Sequence, residues 1–134
     1  MMIIYKDDAL LRAEHLISLY SKCSLGVRRP LERPKMINGM IENSNLIVTA
    51  WDNQKLVGIS RCLTDFNYVT YLADLAVDED YQRKGIGKQL IRETQMRVKD
   101  SCRIILLAAP EANDYYFALG FEHNPRGWML SVQL

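Results

Sequence analysis

The chain has 134 residues, of which 49% are apolar and 25% charged, and its formal net charge is +1. This length suits one domain with one core, so we expect a single domain over residues 1–134. The near-neutral charge argues against a nucleic-acid partner, because nucleic-acid-binding domains usually carry a strongly basic face.

Cysteine usage and apolar runs narrow the class of protein further. The three cysteines, Cys23, Cys62 and Cys102, form no CxxC pair, and the chain has only two histidines. We therefore expect no metal site, and reduced thiols in a cytoplasmic protein. No signal-peptide pattern is present, and no run approaches the roughly 20 apolar residues of a membrane span, so no membrane partner is expected.

The N-terminal third is predicted to hold one strand and two helices. Ile3–Tyr5 is typical of a short strand, and the apolar residues after it recur at helical spacing. Asp7 or Asp8 can cap that first helix. A loop over Cys23–Lys35, broken by glycine and prolines, leads to a second helix over residues 34–43.

The middle and end of the chain are rich in predicted strands. Three β-prone runs between residues 46 and 77, separated by turns, indicate an antiparallel meander. A helix follows from residue 86, then the apolar strand Arg103–Leu107, then a short helix over Glu111–Leu119. Two closing strands are predicted, one from Phe121 and one over Trp128–Leu134. The order β-α-α-β-β-β-α-β-α-β-β describes a mixed α/β (α+β) domain with a central sheet.

The segment QRKGIG (Gln82–Gly87) lies between a predicted strand and a predicted helix. The first backbone N–H groups of a helix have no partners within it, and the helix dipole adds positive charge at that end. A phosphate can bind there, and glycine lets it approach closely. A turn that binds no ligand is the alternative explanation for the same residues, since glycine pairs at strand–helix junctions are common.

Two motifs in series resemble one family. The segment LAVDEDYQRKGIGKQLI (Leu75–Ile91) closely resembles the acyl-CoA motif of the GNAT superfamily of N-acetyltransferases, and YYFALGF (Tyr115–Phe121) resembles its C-terminal segment. The resemblance implies the GNAT fold, a mostly antiparallel twisted sheet flanked by helices. It also implies an enzyme that transfers the acetyl group of acetyl-CoA to a primary amine of a small molecule or peptide.

The resemblance implies specific contacts to coenzyme A. The pantetheine arm would lie beside the strand, and the turn would hold the pyrophosphate. Relatives often carry an asparagine for the pantetheine at the position of Ala109, and Asn113 can replace it or cap its helix locally. The implied cofactor-binding residues are Leu75, Ala76, Val77, Gln82, Arg83, Lys84, Gly85, Ile86, Gly87, Lys88 and Asn113.

Tyr116 matches the family tyrosine that protonates the departing thiolate, and its alternative is an aromatic packing role. A base must also remove a proton from the attacking amine. Many relatives place a Glu or His on the preceding strand, but Tyr71 and Ala73 occupy those positions here. Asp74 through a water, or His123, are the candidate bases, and a salt bridge or a structural histidine are their alternatives.

The sequence leaves two alternatives for the kind of acceptor and two for the kind of activity. The resemblance places the acceptor wall near residues 25–40, where Arg28, Arg29, Arg33 and Lys35 face one acid, Glu32. These cations attract an acidic or phosphorylated acceptor, or form a solvated loop face. The missing carboxylate on the strand favours a rival, an acyl-CoA-binding sensor or interaction module without catalysis. The sequence does not identify the acyl group of the donor, and it does not distinguish a monomer from a homodimer.

Overall fold

The computed structural model describes all residues from Met1 to Leu134. Five strands form one sheet in the order β1-β2-β3-β4-β5. All neighbouring pairs are antiparallel except β4 and β5, which are parallel. The strands are β1 (Ile3–Lys6), β2 (Leu46–Asp52), β3 (Lys55–Thr64), β4 (Val69–Val77) and β5 (Arg103–Ile105). This confirms the predicted mixed fold with a mostly antiparallel sheet.

Four α-helices and three short 3₁₀ turns accompany the strands, the last helix and the last turn following β5. None of the helices has the length and apolar character needed to cross a membrane. The helices are α1 (Ala13–Tyr20), α2 (Pro34–Glu42), α3 (Ile86–Gln95) and α4 (Asn113–Ala118), and the 3₁₀ turns are Ser24–Arg28, Glu79–Tyr81 and Pro110–Ala112.

The start of α1 differs from the sequence-based expectation. The helix begins after Arg12 rather than after Asp7 or Asp8, and the Arg12 backbone N–H donates to Nδ1 of His15 at 2.9 Å. Leu10, expected on the apolar stripe, is 93% exposed. A good capping residue therefore did not fix the boundary, because the helix forms only where its apolar face reaches the sheet.

Two apolar clusters pack against opposite faces of the sheet. Leu90 and Ile91 of α3 cover one face, and α1 and α2 cover the other, where Leu16 and Ile37 are fully buried. Both faces of the central strands are thus covered, which is why β3 is buried along most of its length.

One irregularity in β4 changes which face its residues use. Arg61 of β3 pairs with Asp74, but the next residue, Cys62, pairs with Leu72, so Ala73 is an extra residue on β4. Such a β-bulge shifts the alternation of side chains by one. Leu72 therefore belongs to the cluster on the α3 face, and Ala76, four residues later, belongs to the cluster on the α1 face.

The two predicted closing strands are absent. Residues 121–134 have no helix or strand, and the last seven include exposed apolar side chains such as Trp128, which is 95% exposed. The alternating pattern that predicted a strand over Trp128–Leu134 is real, but a strand needs a partner with which to pair its backbone. In the structure β5 ends after three residues, and its outer edge has no neighbour.

Candidate functional site

A cleft opens where β4 and β5 separate. The two strands pair only between Val69–Tyr71 and Arg103–Ile105. Beyond these pairs the β5 chain leaves the sheet, and a cleft of about 120 Å³ lies beside the second half of β4. Its far wall consists of Leu106, Leu107, Ala109, Ala112 and Tyr116.

The backbone of β4 presents alternate residues to this cleft. The Asp78 N–H donates to the Val57 carbonyl on β3 at 2.8 Å. In an antiparallel ladder alternate residues face the neighbouring strand, so the backbone groups of Ala76 also turn to β3. Those of Leu75 and Val77 face the free edge. This corrects the expectation that all three residues can pair with a ligand, since Ala76 is already committed to the sheet.

The turn Gln82–Lys88 presents a cluster of unpartnered backbone N–H groups after Gln82, whose own N–H donates to the Glu79 carbonyl at 3.5 Å. None of the amides from Arg83 to Lys88 donates a hydrogen bond to another backbone group, and the first bond of α3 runs from the Gln89 N–H to the Gly85 carbonyl, at 3.0 Å. Gly85 caps the helix with a φ of 81°. These donors lie at the positive end of the ten-residue helix α3, an arrangement suited to an anion.

The backbone of Arg83 is strained. Its φ is 63°, in the left-handed region that residues with a Cβ rarely adopt. The sequence carries no signal of this, because an arginine gives no reason to expect a positive φ. Strain of this kind is often found where a loop is held in a shape needed for binding.

Gly87 provides a close contact with α4. A Cβ added at Gly87 would meet the hydroxyl oxygen of Tyr115. The ring of Tyr115 thus lies over the first turn of α3, and its hydroxyl points at the region of the free amides. Sequence reasoning attributed this glycine to approach by a phosphate, but it also admits the Tyr115 side chain.

Tyr116 lies on the wall of the cleft, opposite β4. Its ring packs edge-on against those of Tyr115 and Phe121, with centroid distances of 5.3 and 5.4 Å. Burial, with a smaller contribution from Tyr115, raises the pKa of Tyr116 to about 12. The phenol is therefore protonated throughout the physiological pH range.

Asp74 is enclosed in an ion-pair network on the other face of β4. Its side chain has no exposed surface, and its two oxygens accept hydrogen bonds of 2.6 Å from Arg29 and Arg61 and of 2.7 Å from the Tyr20 hydroxyl. Burial alone would raise the pKa of Asp74, but the hydrogen bond and charge of Arg61, together with Arg29, hold it below its usual value. We therefore assign Asp74 a structural role in place of a relayed base.

The remaining predicted site residues lie outside the cleft. His123 is exposed in the irregular C-terminal segment, and Asn113 is exposed at the start of α4. Neither residue lines the cleft, whereas Ala109 does. No cluster of three or more His, Cys, Asp or Glu side chains is placed to hold a metal ion.

Sequence reasoning missed two ion pairs that shape the cleft. Arg29, besides binding Asp74, donates from Nη2 to the Ala73 carbonyl at 2.9 Å. Arg28 reaches across to Glu111, with 3.3 Å between Nη2 and Oε2. Both arginines line the cleft, together with Cys23, Ser24 and Leu25. The cation-rich loop was the available signal, but its partners lie far away in the sequence.

The sequence matches the family model of the acetyltransferase (GNAT) domain over residues 23–126. The chain belongs to the GNAT acetyltransferase family. It is 32% identical over 107 residues to "Uncharacterized N-acetyltransferase ycf52" of Pyropia yezoensis, a match that covers 75% of this chain and 60% of the relative. The chain thus spans about three fifths of that relative's length.

Solved GNAT structures share the fold along almost the whole chain. The GNAT protein SP0256 of Streptococcus pneumoniae superimposes with a TM-score of 0.79 at 25% identity, covering 98% of both chains. AAC(6')-Iy, solved with the bisubstrate analog CoA-S-monomethyl-acetylneamine, gives a TM-score of 0.74 at 18% identity and full coverage of both chains. At that identity the second match supports the GNAT fold alone.

Proposed function

We propose that this GNAT chain transfers an acetyl group from acetyl-CoA to an amine by direct attack on the thioester. The observation that carries the proposal is the free edge of β4 running towards the unpartnered amides of α3. An extended ligand with a phosphate at one end matches both features. The CoA-linked analog bound by AAC(6')-Iy supports the same type of ligand on this fold.

Each part of the site has a distinct task in this proposal. The amides from Arg83 to Lys88 hold the pyrophosphate, with Gln82 immediately before them in the chain. Gln82 already donates from Nε2 to the Val77 carbonyl at 3.0 Å, so it also shapes the strand end. The outward N–H groups of Leu75 and Val77 bind the pantetheine arm, and one of them polarises the thioester carbonyl.

Tyr116 is proposed as the hydrogen-bond donor to the departing sulfur. The amine nitrogen attacks the carbonyl carbon, the C–S bond breaks, and the sulfur leaves as a thiolate. With a pKa of about 12, the phenol is protonated and available as a donor. That pKa exceeds the ~8.5 of a simple thiol, so a strong hydrogen bond is favoured over complete proton transfer. The thiolate then takes up the proton that the amine releases.

In this proposal a water molecule removes the proton from the attacking amine. The residues that line the cleft include no carboxylate and no imidazole, and the cations Arg28 and Arg29 cannot act as bases. A substrate amine whose own pKa is low needs the least help from a base. His123 and Asn113 remain predictions without a contact to the cleft.

The same lack of a base in the cleft favours a second candidate, an acyl-CoA-binding sensor without turnover. The two functions share ligand binding and differ in thiol release. Thermal shift with acetyl-CoA, followed by thiol detection with a panel of amines, separates them. Release of CoA with an amine supports the transferase, and binding without release on every amine supports the sensor.

The location and assembly of the chain remain predictions. All three cysteines are free thiols, which fits the reducing cytoplasm. The exposed apolar side chains of residues 128–134 are a candidate contact for a homodimer. Sedimentation over a range of protein concentrations measures the assembly directly.

A further inference from the structure

Arg28 occupies the mouth of the cleft. It ends the 3₁₀ turn Ser24–Arg28, and its partner Glu111 belongs to the 3₁₀ turn on the opposite wall. The ion pair therefore spans the opening. Both side chains are about half exposed, at 44% and 56%, so water and ligands can compete for them. An exposed pair of this kind contributes little to stability and is easily exchanged.

Arg28 differs from the neighbouring arginine in its free donors. Arg29 uses all three of its nitrogens, donating to Asp74, to the Ala73 carbonyl and to the Arg28 carbonyl. Arg28 makes a single bond, from Nη2 to Glu111. A guanidinium has five N–H donors in a planar fork, so most of those on Arg28 are available. It is the cation at the cleft with capacity for a ligand.

The surroundings of Arg28 disfavour a polycationic acceptor. No carboxylate lines the cleft, while two guanidinium groups do. An acceptor with several ammonium groups would meet like charge at close range, and the carboxylate at the mouth, Glu111, is already paired with Arg28. Arg29 shares the buried carboxylate of Asp74 with Arg61, whereas Arg28 is paired only with the exposed Glu111.

We propose that the acceptor is a small amine that also carries an anionic group, a carboxylate in the first instance, and that Arg28 binds this group. Glu111 holds the guanidinium at the mouth and gives way when the acceptor enters. This inference rests on the proposed acetyl transfer and names the acceptor class for the same site. A carboxylate matches the guanidinium fork with two parallel hydrogen bonds, which also orients the amine towards Tyr116.

The test uses matched pairs of amines with and without the anion. L-lysine is compared with cadaverine, γ-aminobutyrate with propylamine, and O-phosphoethanolamine with ethanolamine. Thiol release from acetyl-CoA gives kcat/KM, and calorimetry on the CoA-loaded protein gives binding without turnover. We expect the anionic member of at least one pair to be favoured by about tenfold or more. The phosphate pair distinguishes the two sources of negative charge.

Variants at the two ends of the ion pair sharpen the test. Arg28→Ala should raise the KM of the anionic amine about tenfold and should not raise the KM of the counterpart that lacks the anion, and Arg28→Lys should recover only part of the loss. Glu111→Gln should lower that KM, because the guanidinium loses its competitor. If the ion pair between Arg28 and Glu111 only held the structure together, Arg28→Ala and Glu111→Gln would both raise the KM. Arg92→Ala, an exposed arginine on α3, is the control for loss of charge.

The outcomes separate this inference from the proposed transfer. Equal kcat/KM for both members of every pair overturns the acceptor class while acetyl transfer stands. Arg28-dependent binding of an anionic amine without thiol release on any amine overturns acetyl transfer while the acceptor class stands. Failure of every anionic amine to bind better than its counterpart also overturns the acceptor class.

Discussion

Arg29 donates a hydrogen bond of 2.6 Å from Nε to Oδ1 of Asp74, which joins the loop on one wall of the cleft to the strand on the other. Arg61 binds the second oxygen of the same carboxylate from β3. One buried aspartate thus fixes the position of the loop relative to the strand. The network holds the loop and the strand of the cleft in position, while the buried Asp74 carboxylate stays out of reach of a ligand.

Replacing this carboxylate should destabilise the fold. Asp74→Asn leaves two guanidinium groups without a balancing charge, and breaking one side of a buried pair costs about 3–5 kcal/mol. Urea denaturation measures the free energy of unfolding, with Asp100→Asn, at an exposed aspartate without an ion pair, as the control. Unchanged stability with lost turnover would restore Asp74 as a candidate base.

The same network should give a specific dependence of stability on pH. The folded-state pKa of Asp74 lies below its unfolded value, so its contribution is fully present above about pH 4 and is lost as pH falls through the lower, folded value. The stability difference between wild type and Asp74→Asn should therefore be constant near neutrality and shrink in acid. Denaturation series at several pH values measure it, and a difference that grows in acid would contradict the assignment.

Tyr116→Phe should lower kcat by about 100-fold and leave the Kd for acetyl-CoA within about threefold, because the hydroxyl acts on the departing sulfur. Since the pKa of Tyr116 is about 12, the wild-type rate should not fall between about pH 8 and 10. Stopped-flow thiol detection measures both effects. Tyr68→Phe, at a tyrosine that is 65% exposed, is the control. An unchanged kcat would remove Tyr116 from its proposed role.

The contact between Gly87 and Tyr115 predicts that a substitution of Tyr115 will restore CoA binding lost in Gly87→Ala. Gly87→Ala should weaken CoA binding several-fold, because the new methyl group would collide with the Tyr115 hydroxyl and disturb the turn that carries the free amides. Without that oxygen, the nearest ring atom would be Cζ, at 3.5 Å, an ordinary contact. The double variant Gly87→Ala with Tyr115→Phe should therefore bind CoA better than Gly87→Ala alone. Calorimetry tests this, and equal weakness of the two would show that the hydroxyl is not the obstacle.

The strained backbone at Arg83 predicts a stabilising substitution. Arg83→Gly should be more stable than Arg83→Ala by about 0.5–1 kcal/mol, since glycine adopts the observed φ without a steric cost. Lys84→Gly, at the next residue, where φ is not positive, should destabilise instead. Arg83→Ala should change the Kd for CoA by less than about threefold, because amides rather than this side chain hold the phosphate. A complete loss of binding would contradict that.

Local patterns were enough to predict most elements and the family. The turn around Gly85, the meander of β2 to β4 and the short helix before Gly120 all depend on residues close in sequence. The prediction of the two closing strands was wrong for the opposite reason. Their alternation is local, but a strand exists only if another strand accepts its hydrogen bonds, and β5 is short.

The charged contacts of the cleft could not be predicted from the sequence. Arg29 and Asp74 are 45 residues apart, and Arg28 and Glu111 are 83 apart, so neither pair leaves a spacing signal. The extra residue at Ala73 has no signature either, since alanine fits a regular strand as well as a bulge. These features depend on how distant elements pack together, and only the folded chain reveals them.

The extra residue at Ala73 makes β4 tolerant of a change in chain length that a regular strand would not accept. Deleting this one alanine would place Asp74 directly after Leu72, and regular alternation would then leave Leu72 and Leu75 on the α3 face and Asp74 on the α1 face, where they already lie. Only the bulge and the hydrogen bond from Arg29 to the Ala73 carbonyl would be lost. A single-codon deletion at Ala73 should thus keep the fold, whereas deletion of Leu75 from the regular part of the strand would exchange the two faces beyond it and abolish the fold.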